Sequence, residues 1–266
     1  MKHQRTLPIL LAILLSAVAV QAKTIKIERI HVKGGAVNIF PSNTDKVESF
    51  APGYADNDYT LNGTTLTVRS GVLNIGVRAI KELTVENRAV CNADLLEGSS
   101  RLALSVINAI CNIREVSVRE ITIHTETAQL NITALKVQQP LSVTSKMQSV
   151  VKIHDISAPA AGFIVEKDAV VDLSDIDTQS FKMNIAEGCV AGITDLQASD
   201  IEIDSGGNVL LEGQCKEARL TSRANNLNAS GLRAVNVKLQ RKGGYISEPA
   251  SGEERTRTPR SGRILP

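Results

Sequence analysis

The pair Asp155-Ile156 recurs along the chain as Asp175-Ile176 and again as Asp195-Leu196, each time after twenty residues. A fixed spacing of this size is typical of proteins built from repeated structural units. Twenty residues are too few to enclose a hydrophobic core alone, so such units must stack and share one core. This spacing constrains the fold of the 266-residue chain more than any other feature of its sequence.

Within each unit, apolar and polar residues alternate over short runs, as in Leu83-Thr84-Val85 and Ile121-Thr122-Ile123. Such alternation is typical of β-strands, whose successive side chains point to opposite faces. The runs align into a first apolar column that begins at Leu83, Leu102, Ile121, Leu141, Phe163, Phe181 and Ile201. A second column contains Cys91, Cys111, Leu130, Val150, Val170, Val190, Val209 and Leu227. A third contains Leu135, Ile156, Ile176, Leu196, Cys215 and Leu232.

These columns predict an all-β protein, a single parallel β-solenoid of about 20-residue coils over residues 81–242. Residues 23–80 also alternate but lack the regular spacing, so we expect an N-terminal β cap or first irregular coils there. A separate small β domain is the alternative for this segment. Residues 243–266 combine Gly, Pro, Ser and charged side chains, a composition that predicts a disordered tail.

Residues 1–22 have the composition of a secretory signal peptide. Lys2 and Arg5 precede an apolar run, Pro8 to Val20, that is too short to span a bilayer. We expect cleavage after Ala22 and a periplasmic or secreted mature chain without a transmembrane segment. An uncleaved membrane anchor is the alternative.

The charge and aromatic content exclude some classes of ligand. The formal net charge of +2 includes Lys2 and Arg5, so the chain after Ala22 is neutral and offers no basic surface for nucleic acid. Four Phe, three Tyr and no Trp provide few rings for stacking on bases or sugars. We therefore expect no nucleic acid partner.

Asp155, Asp175 and Asp195 are predicted to occupy one surface column, at the same turn position of three successive coils. Asp caps tight turns by accepting backbone hydrogen bonds, which is the interpretation we favour. A Ca²⁺ site is the alternative, but the Gly and Asp nonapeptide rhythm of calcium solenoids is missing. A polysaccharide lyase or glycoside hydrolase on a β-helix is the alternative function. In that case the general acid and the general base would be sought among these three carboxylates and Asp172.

Cys91 and Cys111 occur in the matching contexts AVCN and AICN, twenty residues apart. On adjacent coils their Cα atoms would lie about 5 Å apart, within reach of a disulfide, although a buried reduced Cys is also a normal core residue. No CxxC or HxxxH spacing is present, so we predict no metal and no cofactor. His154, beside Asp155, is predicted to be a surface residue.

The stretch from Ser199 to Gln240, which includes SDIEIDSGGNVLL and NNLNASGLRAVNVKLQ, resembles the bacterial auto-transporter adhesin head GIN domain, a domain of unknown function. AVNIFPSNTDKV and GTTLTVRSGVLNI look like the opening of the same domain. The resemblance implies an exported, solenoid-like β fold without an established activity. The predicted function is a non-enzymatic, adhesin-like module of the cell envelope that binds an envelope protein or a glycan through an extended solenoid face.

Overall fold

The computed structural model describes residues 25–49 and 58–251, and the predicted signal peptide and residues 252–266 lie outside these ranges. The described residues form β-strands and turns, with no helix. Most strands pair in parallel with the equivalent strand one coil further on. The predicted all-β parallel solenoid, with about 8 coils of roughly 20 residues, is therefore confirmed.

The strands are β1 Arg29–Val32, β2 Ala36–Pro41, β3 Lys46–Ser49, β4 Asp58–Asn62, β5 Thr65–Ser70, β6 Val72–Val77, β7 Glu82–Glu86, β8 Val90–Glu97, β9 Leu102–Ile107, β10 Ile110–Val118, β11 Ile121–Glu126, β12 Gln129–Val137, β13 Leu141–Lys146, β14 Val150–Ile153, β15 Ile156–Val165, β16 Val170–Ile185, β17 Val190–Ser205, β18 Asn208–Ser222, β19 Asn226–Arg241, β20 Tyr245–Ser247 and β21 Ala250–Ser251.

Each regular coil contributes to three parallel ladders. Ladder A contains β7, β9, β11 and β13 and the last part of β15 to β19. Ladder B contains β2, β6, the first part of β8, β10 and β12, then β14 and the first part of β16 to β19. Ladder C contains the remainder of these long strands, such as residues 115–118, 134–137 and 176–180. The apolar side chains that point inward from all three ladders form one core along the solenoid.

The first predicted column is wrong by two residues at two coils. Leu83 pairs with Leu104 rather than Leu102, and Phe163 pairs with Val143 rather than Leu141. Both members of each run point inward, because residues two apart on a strand share a face. The sequence alone therefore leaves open which member of one run opposes which member of the next.

The second predicted column is wrong by one residue at three coils. Val151, Val171 and Ala191 are buried, whereas the adjacent Val170 and Val190 are 37% and 43% exposed. Two neighbouring apolar residues fit either face of a strand equally well, and a shift of one residue exchanges the faces.

The third predicted column fails at Cys215, which pairs with Ala198. Gly213 occupies the position opposite Leu196, because the register shifts between Ile193 and Leu196 where the next coil has one residue fewer.

The N-terminal strands stack out of chain order. β1 lies between β5 and β7, and β2 lies between β6 and β8, so the coil of residues 65–77 is outside the coil of residues 29–41. β4 pairs with β5 and β3 pairs with β6, both antiparallel. These two antiparallel strands cover the outer edge of the first stacked coil.

Five asparagines on successive coils of ladder B form a hydrogen-bonded chain along the outside of the solenoid. The side chain amide of Asn38 donates to Asn74 at 3.0 Å, and Asn92 donates to Asn38 at 3.3 Å. Asn112 donates to Asn92 at 3.1 Å, and Asn131 donates to Asn112 at 2.7 Å. We call Asn74, Asn38, Asn92, Asn112 and Asn131 the asparagine ladder. It ties adjacent coils together outside the core.

We predict that Asn112→Ala destabilises the fold by about 1 to 3 kcal/mol, because it removes two ladder hydrogen bonds of about 0.5 to 1.5 kcal/mol each. Asn131→Ala is the matched control, since Asn131 ends the ladder and makes one such bond. In urea unfolding, the control should lose about half as much free energy of unfolding as the Asn112→Ala variant. Equal stability of the Asn112→Ala variant and the unmodified protein would show that the ladder contributes nothing.

Candidate binding surface

Asp155, Asp175 and Asp195 are exposed corner residues between ladders B and C. Their φ angles of 46°, 54° and 52° lie in the left-handed region, which Asp tolerates better than most residues other than Gly. The next residues Ile156, Ile176 and Leu196 are buried and in register. The repeated Asp-Ile or Asp-Leu pair therefore matches a backbone requirement followed by a core position.

One of these corners brings together a histidine, a serine and an aspartate. The Nδ1 atom of His154 lies 2.7 Å from the Ser174 hydroxyl oxygen, and that hydroxyl donates to Asp175 at 3.1 Å. The serine thus lies between the other two, whereas in a catalytic triad the carboxylate bonds to the histidine and orients it. Asp172 is opposite Lys152 and Gly192 on ladder B, apart from this corner. In this arrangement the serine hydroxyl donates to the carboxylate of Asp175, so the contact differs from the order of a triad and links the corners of two adjacent coils.

Cys91 and Cys111 are direct partners in ladder B, and both are buried. They are free thiols in the structure, as are Cys189 and Cys215. A hydrogen bond with Cys111 and then burial raise the pKa of the Cys91 thiol well above its ordinary value. The pairing places the two cysteines on adjacent strands, and the disulfide itself stays a prediction.

A cleft of about 570 Å³ lies near the N-terminal end of the solenoid. Its Glu28 carboxylate accepts hydrogen bonds from Lys26 at 2.6 Å and Lys81 at 3.0 Å, and these lower the pKa of Glu28 to about 2. The Asp45 carboxylate accepts from the backbone N–H groups of Ile27 at 2.7 Å and Arg78 at 2.9 Å. Both carboxylates join the first described residues to neighbouring loops, so their role in this cleft is structural.

A column of apolar side chains runs along the outside of ladder B, beside the asparagine ladder. Its members share one register position on successive coils, and only Gln129 among them is polar. We call these residues the outer apolar column: Val72, Ala36, Val90, Ile110, Gln129, Val150, Val170 and Val190. Strands about 4.8 Å apart give this column a length of roughly 34 Å.

The positions of the outer apolar column and of the asparagine ladder carry no charge over the first five stacked coils, from Val72 and Asn74 to Gln129 and Asn131. Charged side chains border this area, since the ion pair of Asp94 and Arg114 follows Asn92 and Asn112 by two residues and Glu48 of β3 is opposite Asn74. The next outward positions on the asparagine side are Lys152 and Asp172. Ladder A, by contrast, carries charged outward side chains on several coils, including Glu82, Lys182 and Glu202. The outer surface of ladder B thus combines aliphatic and amide groups over five coils.

No family model, curated protein or solved structure matches this chain. The resemblance to the GIN domain therefore rests on the quoted sequence stretches alone. No cluster of His, Cys, Asp or Glu suited to a metal, and no helix long and apolar enough to cross a membrane, occurs in residues 25–49 and 58–251.

We predict that Asp175→Gly is nearly neutral for stability, whereas Asp175→Val costs about 1 to 2 kcal/mol, because a β-branched residue is strained in the left-handed region. Asp177→Val is the control, since Asp177 is an exposed strand residue only two positions away. Thermal unfolding of the three variants measures the difference. Equal losses for Asp175→Gly and Asp175→Val would contradict a backbone role for this aspartate.

Proposed function

We propose that the protein is a non-enzymatic binding module of the cell envelope that holds a protein partner along the outer surface of ladder B. The observation that carries this proposal is the outer apolar column, in which Ile110, Val170 and Val190 are exposed and whose first five coils lie beside the uncharged asparagine ladder. The composition of residues 1–22 supports export of the chain.

The chemistry of this surface supports a protein partner. The centres of protein interfaces are depleted of charged side chains and are more apolar than the rest of the surface. Ile110, Val170 and Val190 are 40%, 37% and 43% exposed and lie on this one surface, where they are available for burial against a partner. Asparagine amides both donate and accept hydrogen bonds, so the ladder suits the peptide groups and polar side chains of a neighbouring protein.

A glycan partner is less well supported. Protein sites for sugars rely on aromatic rings, whose faces cover the apolar faces of the sugar. Ladder B carries Phe40 and Tyr245 near its opposite ends, while the outer apolar column between them contains no aromatic residue. An envelope protein is therefore the partner that we infer.

The experiment is photo-crosslinking in the source cells, with benzoylphenylalanine at Val170. We expect a defined crosslinked protein, lost at least tenfold when Ile110→Lys and Val190→Lys introduce two charges that a partner cannot bury without cost. Binding to the same purified protein should fall in parallel.

The control carries Ala103→Lys and Ser142→Lys, two outward substitutions on ladder A. This variant should keep the crosslink, and both double variants should keep the unfolding temperature of the parent. Crosslinking that persists in the Ile110→Lys and Val190→Lys variant, or that falls equally in the control, would overturn the proposal.

A further inference from the structure

The last full coil leaves part of its edge without a described strand partner. β20 covers residues 226–228 and β21 covers residues 233–234 of β19. Residues 236–241 pair with β18 on one side, and no described strand pairs with them on the other. Backbone N–H and C=O groups at such an edge are available to another strand.

The apolar core also reaches the surface at this edge. Val237 and Leu239 continue the columns of Ala218 and Leu220, both 1% exposed. Val237 itself is 37% exposed, and the neighbouring Val235 is 74% exposed. The opposite end of the solenoid differs, because antiparallel β3 and β4 cover it. Open backbone and uncovered core side chains together suit the addition of a strand.

The charge of the last coil indicates what kind of strand fits. Residues 226–242 contain Arg233, Lys238, Arg241 and Lys242 and no acidic residue. Arg241 is paired with Glu248 at 2.9 Å, whereas no ion pair is formed by Lys238 or Lys242 within the described part of the chain. Lys238 is next to Arg219 in register, so the cations accumulate at this edge. An acidic strand would be attracted to it.

Two other occupants are disfavoured by their own chemistry. The next residues of the chain, 252–266, contain four Arg and two Glu and have no apolar residue before Ile264, so they bring like charge and little to cover Leu239. A second copy that paired through the same edge would place cationic edge strands side by side. A partner strand of opposite charge has neither disadvantage.

We propose that the edge of residues 236–241 is a binding site for an extended strand of another polypeptide, in which apolar residues alternate with Asp or Glu. The partner's apolar residues cover Val237 and Leu239, its carboxylates face Lys238 and Lys242, and its backbone continues ladder A. This site is at the end of the solenoid and is separate from the outer surface of ladder B.

The test uses the mature chain from residue 23 and a fluorescent peptide of about seven residues that alternates Glu and Val, a typical strand length. Fluorescence anisotropy should show saturable binding that weakens as salt is raised. A peptide of the same charge with a central proline should not bind, because proline interrupts strand pairing. Equal binding of both peptides would show that charge attraction alone causes the binding, and it would contradict the proposed strand addition.

The double variant Lys238→Glu, Lys242→Glu should bind the acidic peptide with an affinity at least tenfold lower, and it should bind a peptide that alternates Lys and Val. Lys152→Glu is the control, since Lys152 is exposed on ladder B far along the chain from this edge, and it should change neither affinity. Unchanged binding in the double variant would contradict the proposal. Binding of the peptide only after removal of residues 252–266 would also contradict it, because the tail would then be the occupant of the edge. A concentration-dependent dimer that the double variant abolishes would show that the occupant is a second copy.

Discussion

Parallel pairing of each coil with the equivalent residues of its neighbours is the interaction on which the rest of this structure depends. A single coil has no second layer against which to bury its apolar side chains, so the neighbouring coils supply its core contacts. In-register pairing places Ile156, Ile176 and Leu196 in one column and Cys91 against Cys111. The same pairing aligns the asparagines outside the core, where amide can bond to amide over five coils.

Stacking in one direction also makes the sides and the ends of the molecule chemically different. The sides have satisfied backbone groups, so they can bind only through side chains, as the outer apolar column does in the proposed function. The ends have backbone groups and core residues to cover. Antiparallel β3 and β4 cover one end, while at the other end residues 236–241 have no second strand partner within residues 25–49 and 58–251, in a coil whose four charged side chains are all cationic.

The candidate surface was only partly predictable from the sequence. Val150, Val170 and Val190 are visible as a repeated apolar position, but the sequence assigns them to the core as readily as to the surface, because Val151 and Val171 follow directly. The asparagine ladder has a clear signal in the triplets VNI, LNI, CNA, CNI and LNI, which a search for inward apolar residues overlooks. The open edge could not be predicted, since it depends on where later strands pair.

By itself, the sequence determined the all-β class, the coil length of about twenty residues and the position of the Asp corners, because these follow from local alternation and from a repeated spacing. The tertiary structure decided the register between coils, the reversed stacking of the first two coils and the inward or outward direction of adjacent valines. Those features depend on contacts between residues distant along the chain. The local conformational preference of a strand residue is the same whether its side chain points inward or outward. Burial against the neighbouring coil selects one of these two directions.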